Sequence, residues 1–148
     1  MVSLITALVF IIDRVVKLYI INNFSLYESK MFIGKIVSLT YVRNTGAAFS
    51  ILRGRRTFFI IMTIVMLFLI IYLYNKVLEK NIYSKISVGL ILGGALGNFY
   101  DRIVYHYVVD FIDFHFFPVF NIADSALVIG TIILSIIIWT SDKKTETN

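Results

Sequence analysis

Cysteine is absent from the 148 residues. That removes disulfides, thiolate metal sites and cysteine nucleophiles. Charge is also scarce, at 16% of residues, where soluble chains carry about a quarter. Histidine occurs only at His106 and His115. With Asp110 and Asp113 they could supply metal ligands, but no H-E-x-x-H pair exists and no metal is expected. The G-x-S-x-G signature of serine hydrolases is missing. Lysine and arginine do not cluster with aromatics at the density that nucleic-acid binding needs, so nucleic acid is not an expected partner.

What the chain does have is hydrocarbon. Hydrophobic residues make up 59%, and the mean hydropathy is +0.86. A water-soluble fold of this length must cover itself with polar groups, and this one has too few. A helix crosses roughly 30 Å of hydrocarbon with about 20 mostly apolar residues. Four stretches qualify, at 2–21, 57–74, 86–104 and 116–140. The second carries no charge, and Asp124 is the only charge in the fourth. The third is glycine-rich and extends past Asp101 and Arg102. The first carries Asp13, Arg14 and Lys17, but it lacks the basic start and the A-x-A-like site of a cleaved signal peptide, so it is read as a retained helix.

The expected fold is an all-α membrane protein of four transmembrane helices, one domain over 1–148. Within the 22–56 segment, Val37, Leu39 and Tyr41 alternate with Ser38 and Thr40, which predicts a strand in the stretch 37–52. Asn44-Thr45-Gly46 then supplies a turn, so this segment forms a small sheet-like cap beside the membrane. The polar tail, 141–148, is expected to fray. The net charge of +5 suits anionic membrane lipid. Charge alone does not orient the chain: against Lys76, Lys80, Lys85, Lys143 and Lys144 on the terminal side stand Lys30, Lys35, Arg43, Arg53, Arg55, Arg56 and Arg102 on the other, which gives a tie or slightly favours termini outside.

Asp124 is the most informative residue. Eight residues beyond Phe116, it is expected about 12 Å along a membrane helix. There an isolated carboxylate costs several kcal/mol unless paired, protonated or beside water. Asn121 and Ser125 would make a polar patch with it. Asp110 lies in the apolar run Val108-Val109-Asp110-Phe111-Ile112, at the membrane interface. It reads equally well as a surface turn residue or as a partner for Asp124. Two carboxyls about 3–4 Å apart cannot both ionise cheaply, so such a pair shares a proton and can activate water while protonating a leaving amine. Asn98, Asp101 and Arg102 fall on one helix face by spacing. They could hold substrate or end the span with a salt bridge. The same two readings apply to Asp13 and Lys17, an i,i+4 pair.

Five segments together resemble the lipoprotein signal peptidases, also called signal peptidase II. They are Asp13-Arg14-Val15-Val16-Lys17; Asn44-Thr45-Gly46-Ala47-Ala48-Phe49; Gly93-Gly94-Ala95-Leu96-Gly97-Asn98-Phe99-Tyr100-Asp101-Arg102; Val108-Val109-Asp110-Phe111; and Phe120-Asn121-Ile122-Ala123-Asp124-Ser125. They come in the family's order and cover nearly the whole chain. The G-x-G-D motif of presenilin-type aspartic proteases is absent.

The resemblance implies a four-span aspartic endopeptidase of the bacterial cytoplasmic membrane, with both termini cytoplasmic and the sheet outside. It would remove signal peptides from diacylglyceryl-modified prolipoproteins, cutting just before the lipidated cysteine, without a cofactor. Carried over by motif, Asp110 and Asp124 are the catalytic dyad. Asn44, Gly46, Asn98, Arg102 and Asn121 bind substrate, and Asp13, Lys17 and Asp101 give structural support. Globomycin is the implied inhibitor, and the working form is a monomer. Two readings from other classes stand beside this one. They are a small transporter or proton channel with Asp124 as carrier carboxyl, and a non-enzymatic assembly factor whose glycine-rich span packs a partner. A protease needs both aspartates equally, whereas a proton carrier needs mainly Asp124.

Overall fold

The computed structural model describes residues 1–46 and 54–146, the last six for the backbone alone. In chain order the elements are α1 (Val2–Asn23), β1 (Ser29–Ile33), β2 (Val37–Asn44), α2 (Arg56–Lys76), α3 (Ile82–Val104), β3 (Val108–Asp113) and α4 (Ile122–Glu146). Among the described residues, α2, α3 and the stretch Ile122–Thr140 of α4 are long and apolar enough to cross a membrane. In α2 only Ile70 is buried, while Phe58, Ile61, Phe68 and Tyr72 face outward. An apolar surface of that extent calls for hydrocarbon around it. The helix α1 exposes Leu4, Leu8, Ile11 and Val15 but turns Asp13, Arg14 and Lys17 inward.

The central helix is α3. It starts at Ile82, four residues before the expected 86, because Asn81 caps it by accepting the Ser84 N–H at 3.0 Å. Glycines line its buried faces and let α1 and α4 approach closely. A Cβ placed on Gly97 would lie 2.6 Å from Asp13 Oδ2 and 3.2 Å from Ala123 Cβ.

The cap is a three-stranded antiparallel sheet in the order β1-β2-β3. The strand expected in 37–52 is there as Val37–Asn44, and the part of that expectation beyond Gly46 lies outside the described residues. The alternation does not hold along β2. Its buried residues are Ser38 and Tyr41, three apart, so they cannot share a face of a regular strand. The cause is a bulge: Leu39 pairs with Ile112 but Val42 pairs with Asp110, so one extra residue on β2 swaps its faces. The segment Val108–Asp113 was expected only as an interfacial run. It is a strand, and its Val108, Val109 and Phe111 are buried. Ile20 and Phe24 at the end of α1 pack with Tyr41, Val109 and Phe111, fastening the sheet to the helices.

Two further expectations are corrected. The fourth helix does not start at Phe116 but at Ile122. Pro118 has no N–H to give a helix, and Phe120 instead bridges to Ile112 in strand fashion. Asp124 is therefore in the first turn of α4 and not 12 Å along it. At the other end, the α4 backbone stays helical to Glu146 where fraying was expected.

Candidate active site

The site starts at the end of α4 nearest the sheet. Asn121 precedes the first helical residue. Its Oδ1 accepts the Asp124 N–H at 2.8 Å, and Asp124 Oδ2 accepts the Asn121 N–H at 3.2 Å. This reciprocal pair is a capping box built from Asn and Asp. It fixes the Asp124 carboxylate at the helix N-terminus, where unpaired N–H groups favour negative charge.

Asp110 arrives from β3, just beyond the β2 bulge that sets its register. The Nδ2 of Asn121 donates to Asp110 Oδ1 at 2.7 Å while its backbone N–H donates to Asp124 Oδ2, so one asparagine touches both carboxylates. Asn44, the last residue of β2, donates to Asp110 Oδ2 at 2.9 Å. Its own Oδ1 accepts the Gly46 N–H at 2.9 Å. Asn98 of α3 donates to Asp124 Oδ1 at 2.7 Å. Burial first, and then the charge of Asp124, push the Asp110 carboxyl up to about 7, against the Asn44 and Asn121 N–H groups that favour its ionised form.

Both carboxylates open onto a cavity of about 1080 Å³. Asn44, Gly46, Asn98 and Arg102 line it with them on the polar side, and Phe59, Met62, Met66, Leu127 and Val128 supply an apolar wall. Arg102 stacks over Phe59 at 4.9 Å and reaches the Gly46 carbonyl at 3.4 Å. Asn121, expected in the substrate-facing wall, is instead fully buried behind the two carboxylates. The stretch 47–49, part of one motif, lies outside the described residues.

Behind the cavity is a buried ion cluster, in which Asp13, Lys17 and Asp101 have no exposure. Lys17 Nζ meets Asp13 Oδ2 at 2.8 Å, Asp101 Oδ2 at 2.9 Å and Asn98 Oδ1 at 2.9 Å. Arg14 pairs with Asp101 and stacks on Tyr100 at 4.6 Å. Two cations thus meet two anions. Asp13 also accepts the Ala123 N–H at 3.0 Å, and Asp101 accepts the Val109 N–H at 3.1 Å. The cluster therefore ties α1 and α3 to the strand that carries Asp110 and to the helix turn that carries Asp124. Of the three α3 residues grouped by spacing, Asn98 and Arg102 reach the cavity, while Asp101 turns towards α1.

Sequence reasoning missed the Asn121-x-x-Asp124 cap, whose spacing was a readable signal. It also passed over Arg14, the cation that completes the buried cluster. His115 sits on the sheet with its Nε2 3.3 Å from Ser38 Oγ. Among the described residues no group of three His, Asp or Glu side chains gathers as a metal site.

A family model described as signal peptidase (SPase) II matches residues 5–140. The lipoprotein signal peptidase of Halothermothrix orenii is 46% identical over 144 residues, 97% of this chain and 98% of its own length. That of Enterococcus faecalis is 44% identical over 142 residues, covering 95% and 88% of the two chains. A solved bacterial membrane enzyme is 39% identical and superposes with a TM-score of 0.92 over 97% of this chain and 90% of its own.

Proposed function

The chain belongs to the signal peptidase II family, bacterial membrane proteases that remove signal peptides from prolipoproteins, and from that premise we propose that Asp110 and Asp124 are the dyad that cuts. The observation that carries this reading is their meeting on one cavity, joined through Asn121.

The pair titrates as a unit. Near neutral pH Asp110 holds the shared proton, since its carboxyl is pushed up to about 7. Asp124, at a helix N-terminus with two N–H donors, is the better seat for negative charge. Asp124 takes a proton from water as the water oxygen bonds to the scissile carbonyl carbon. Asp110 donates its proton to the carbonyl oxygen. Collapse of the tetrahedral intermediate breaks the C–N bond, and the amine of the cysteine leaves with a proton from the dyad. Asn121 holds the two carboxyls in register. Asn44, Gly46, Asn98 and Arg102 grip the substrate backbone, and the apolar wall of α2 and α4 takes the diacylglyceryl group. Globomycin would compete for the same cavity.

The finer membrane picture is part of the proposal. The helix α1 is the fourth span: its 22 residues reach about 33 Å, and its three charges are turned into the protein. Both termini then share one side, which the family resemblance makes the cytoplasm, with the sheet outside and the enzyme working as a monomer in lipid.

The test is a gel-shift assay in detergent with a diacylglyceryl-modified precursor. The wild-type protein should shorten it, with or without a chelator, and should leave the unlipidated precursor intact. Equal cutting of both precursors would refute the lipid requirement. Loss of cutting with chelator, reversed by zinc, would replace the dyad with a metal.

A further inference from the structure

Three asparagines surround the two carboxylates, and each is locked in one orientation by a group that can only donate. Asn44 Oδ1 faces the Gly46 N–H, Asn121 Oδ1 faces the Asp124 N–H, and Asn98 Oδ1 faces the Lys17 ammonium. An amide with its oxygen so engaged must turn its NH2 the other way. In all three cases that NH2 meets a carboxylate of the dyad. Two of the locks are local backbone. The third comes from α1, 81 residues away in sequence from Asn98.

Lys17 is fully buried; its ammonium donates to Asn98 Oδ1 and forms ion pairs with Asp13 and Asp101. It has no acceptor of its own, so Asn98 cannot present its NH2 to it. Without Lys17 the amide of Asn98 could rotate by a half-turn at little steric cost and set oxygen against the Asp124 carboxylate. Asn121 alone, whose Nδ2 lies 3.1 Å from Asn98 Oδ1, is also bonded to Asp110 and the Val109 carbonyl.

We infer that Lys17 is a positioning residue for cleavage. It fixes the Asn98 amide so that its N–H stabilises the ionised Asp124, an assignment that rests on the dyad reading. Lys17 never touches substrate and works through Asn98. The charged groups around this path are Asp13 and Arg14 on α1, Asp101 and Arg102 on α3, Asp110 on β3 and Asp124 on α4; Arg43 of β2 lines the cavity but is held by Tyr41. Lys17→Met alone would strand Asp13, so the informative variant is Asp13→Asn/Lys17→Met. It keeps the cluster neutral, replaces the lysine's aliphatic stem with an unbranched apolar chain, and leaves an oxygen for the Ala123 N–H.

The experiment measures kcat and KM against pH for a lipidated precursor. In the double variant KM should stay within twofold and kcat at pH 7 should fall at least tenfold. The low-pH limb of kcat should move up by about a unit, because the ionised dyad has lost a donor. An unchanged limb in the folded variant, with or without a fall in kcat, overturns the inference. If that variant does not fold, Asn98→Asp decides. It keeps Lys17 fully paired but faces Asp124 with an acceptor, so its limb should also move up, and an unmoved limb counts against the relay. Asp124→Asn runs alongside, and activity in that variant would sink the dyad reading instead.

Discussion

At the scale of the residue, Asp110 is held in a state that favours work over stability. Its carboxyl sits at about 7, against an ordinary 3.8, because burial and Asp124 oppose its charge. The unfolded chain gives up this proton near pH 4, while the folded protein keeps it until about pH 7. The group's contribution to stability is therefore full below about 4 and is lost as pH rises through 7. That loss is at most about 4 kcal/mol, since each pKa unit is worth about 1.4 kcal/mol. Asp110→Asn cannot ionise. Its melting temperature relative to wild type should become more favourable between pH 5 and pH 8 in detergent, whatever constant cost the lost acceptor adds. A difference that does not change with pH would contradict the shift. Cleavage by the wild type should likewise fall above pH 7, as the shared proton leaves.

Asp124 was legible as a costly carboxylate in an apolar run, whereas Asp110 was not. One polar residue in Val108-Val109-Asp110-Phe111 fits a surface turn as well as a site, and only the resemblance selected it. Lys17 and Asp13 were legible as neighbours on a helix. Their partner Asp101 was not, because nothing local specifies a contact across the fold.

At the scale of the element, the start of α4 does most to set the geometry. Hydropathy put this helix at Phe116, since aromatic residues read as membrane whether or not they are helical. The box Asn121-x-x-Asp124 marks the true start, and it joins helix capping to the dyad. Asn121→Ala removes the cap, worth about 1 kcal/mol, together with the link to Asp110. It should leave a folded protein with cleavage reduced at least a hundredfold. Near-normal cleavage by Asn121→Ala would show that the carboxylates do not need this link. The β2 bulge is the opposite case. Alternation predicted the strand but not the extra residue, because a bulge is set by pairing with β3 and leaves no periodic trace. In α3, Gly97→Val would drive side-chain atoms into Asp13 and Ala123. It should lower the melting temperature and cleavage together, by separating α1 from α4.

At the scale of the whole molecule, the long apolar helices were plain in the composition, and among the described residues three have the length and hydropathy to cross a membrane. The side on which the sheet lies was not, because basic residues occur on both sides, with a slight excess on the side of the sheet. The absence of cysteine makes this easy to resolve. Single cysteines at Lys35 and Lys80 have no background. A membrane-impermeant maleimide added to spheroplasts should label the first and not the second; the reverse pattern would invert the proposed orientation.

The dyad remains the centre of the account, and the rates of Asp110→Asn, Asp124→Asn and the double variant on a lipidated precursor test it most directly. Two carboxyls that share one proton act as a unit, so each single variant should be as inactive as the double. Substantial cleavage by Asp110→Asn with none by Asp124→Asn would show that one carboxyl suffices, and the dyad would have to be abandoned.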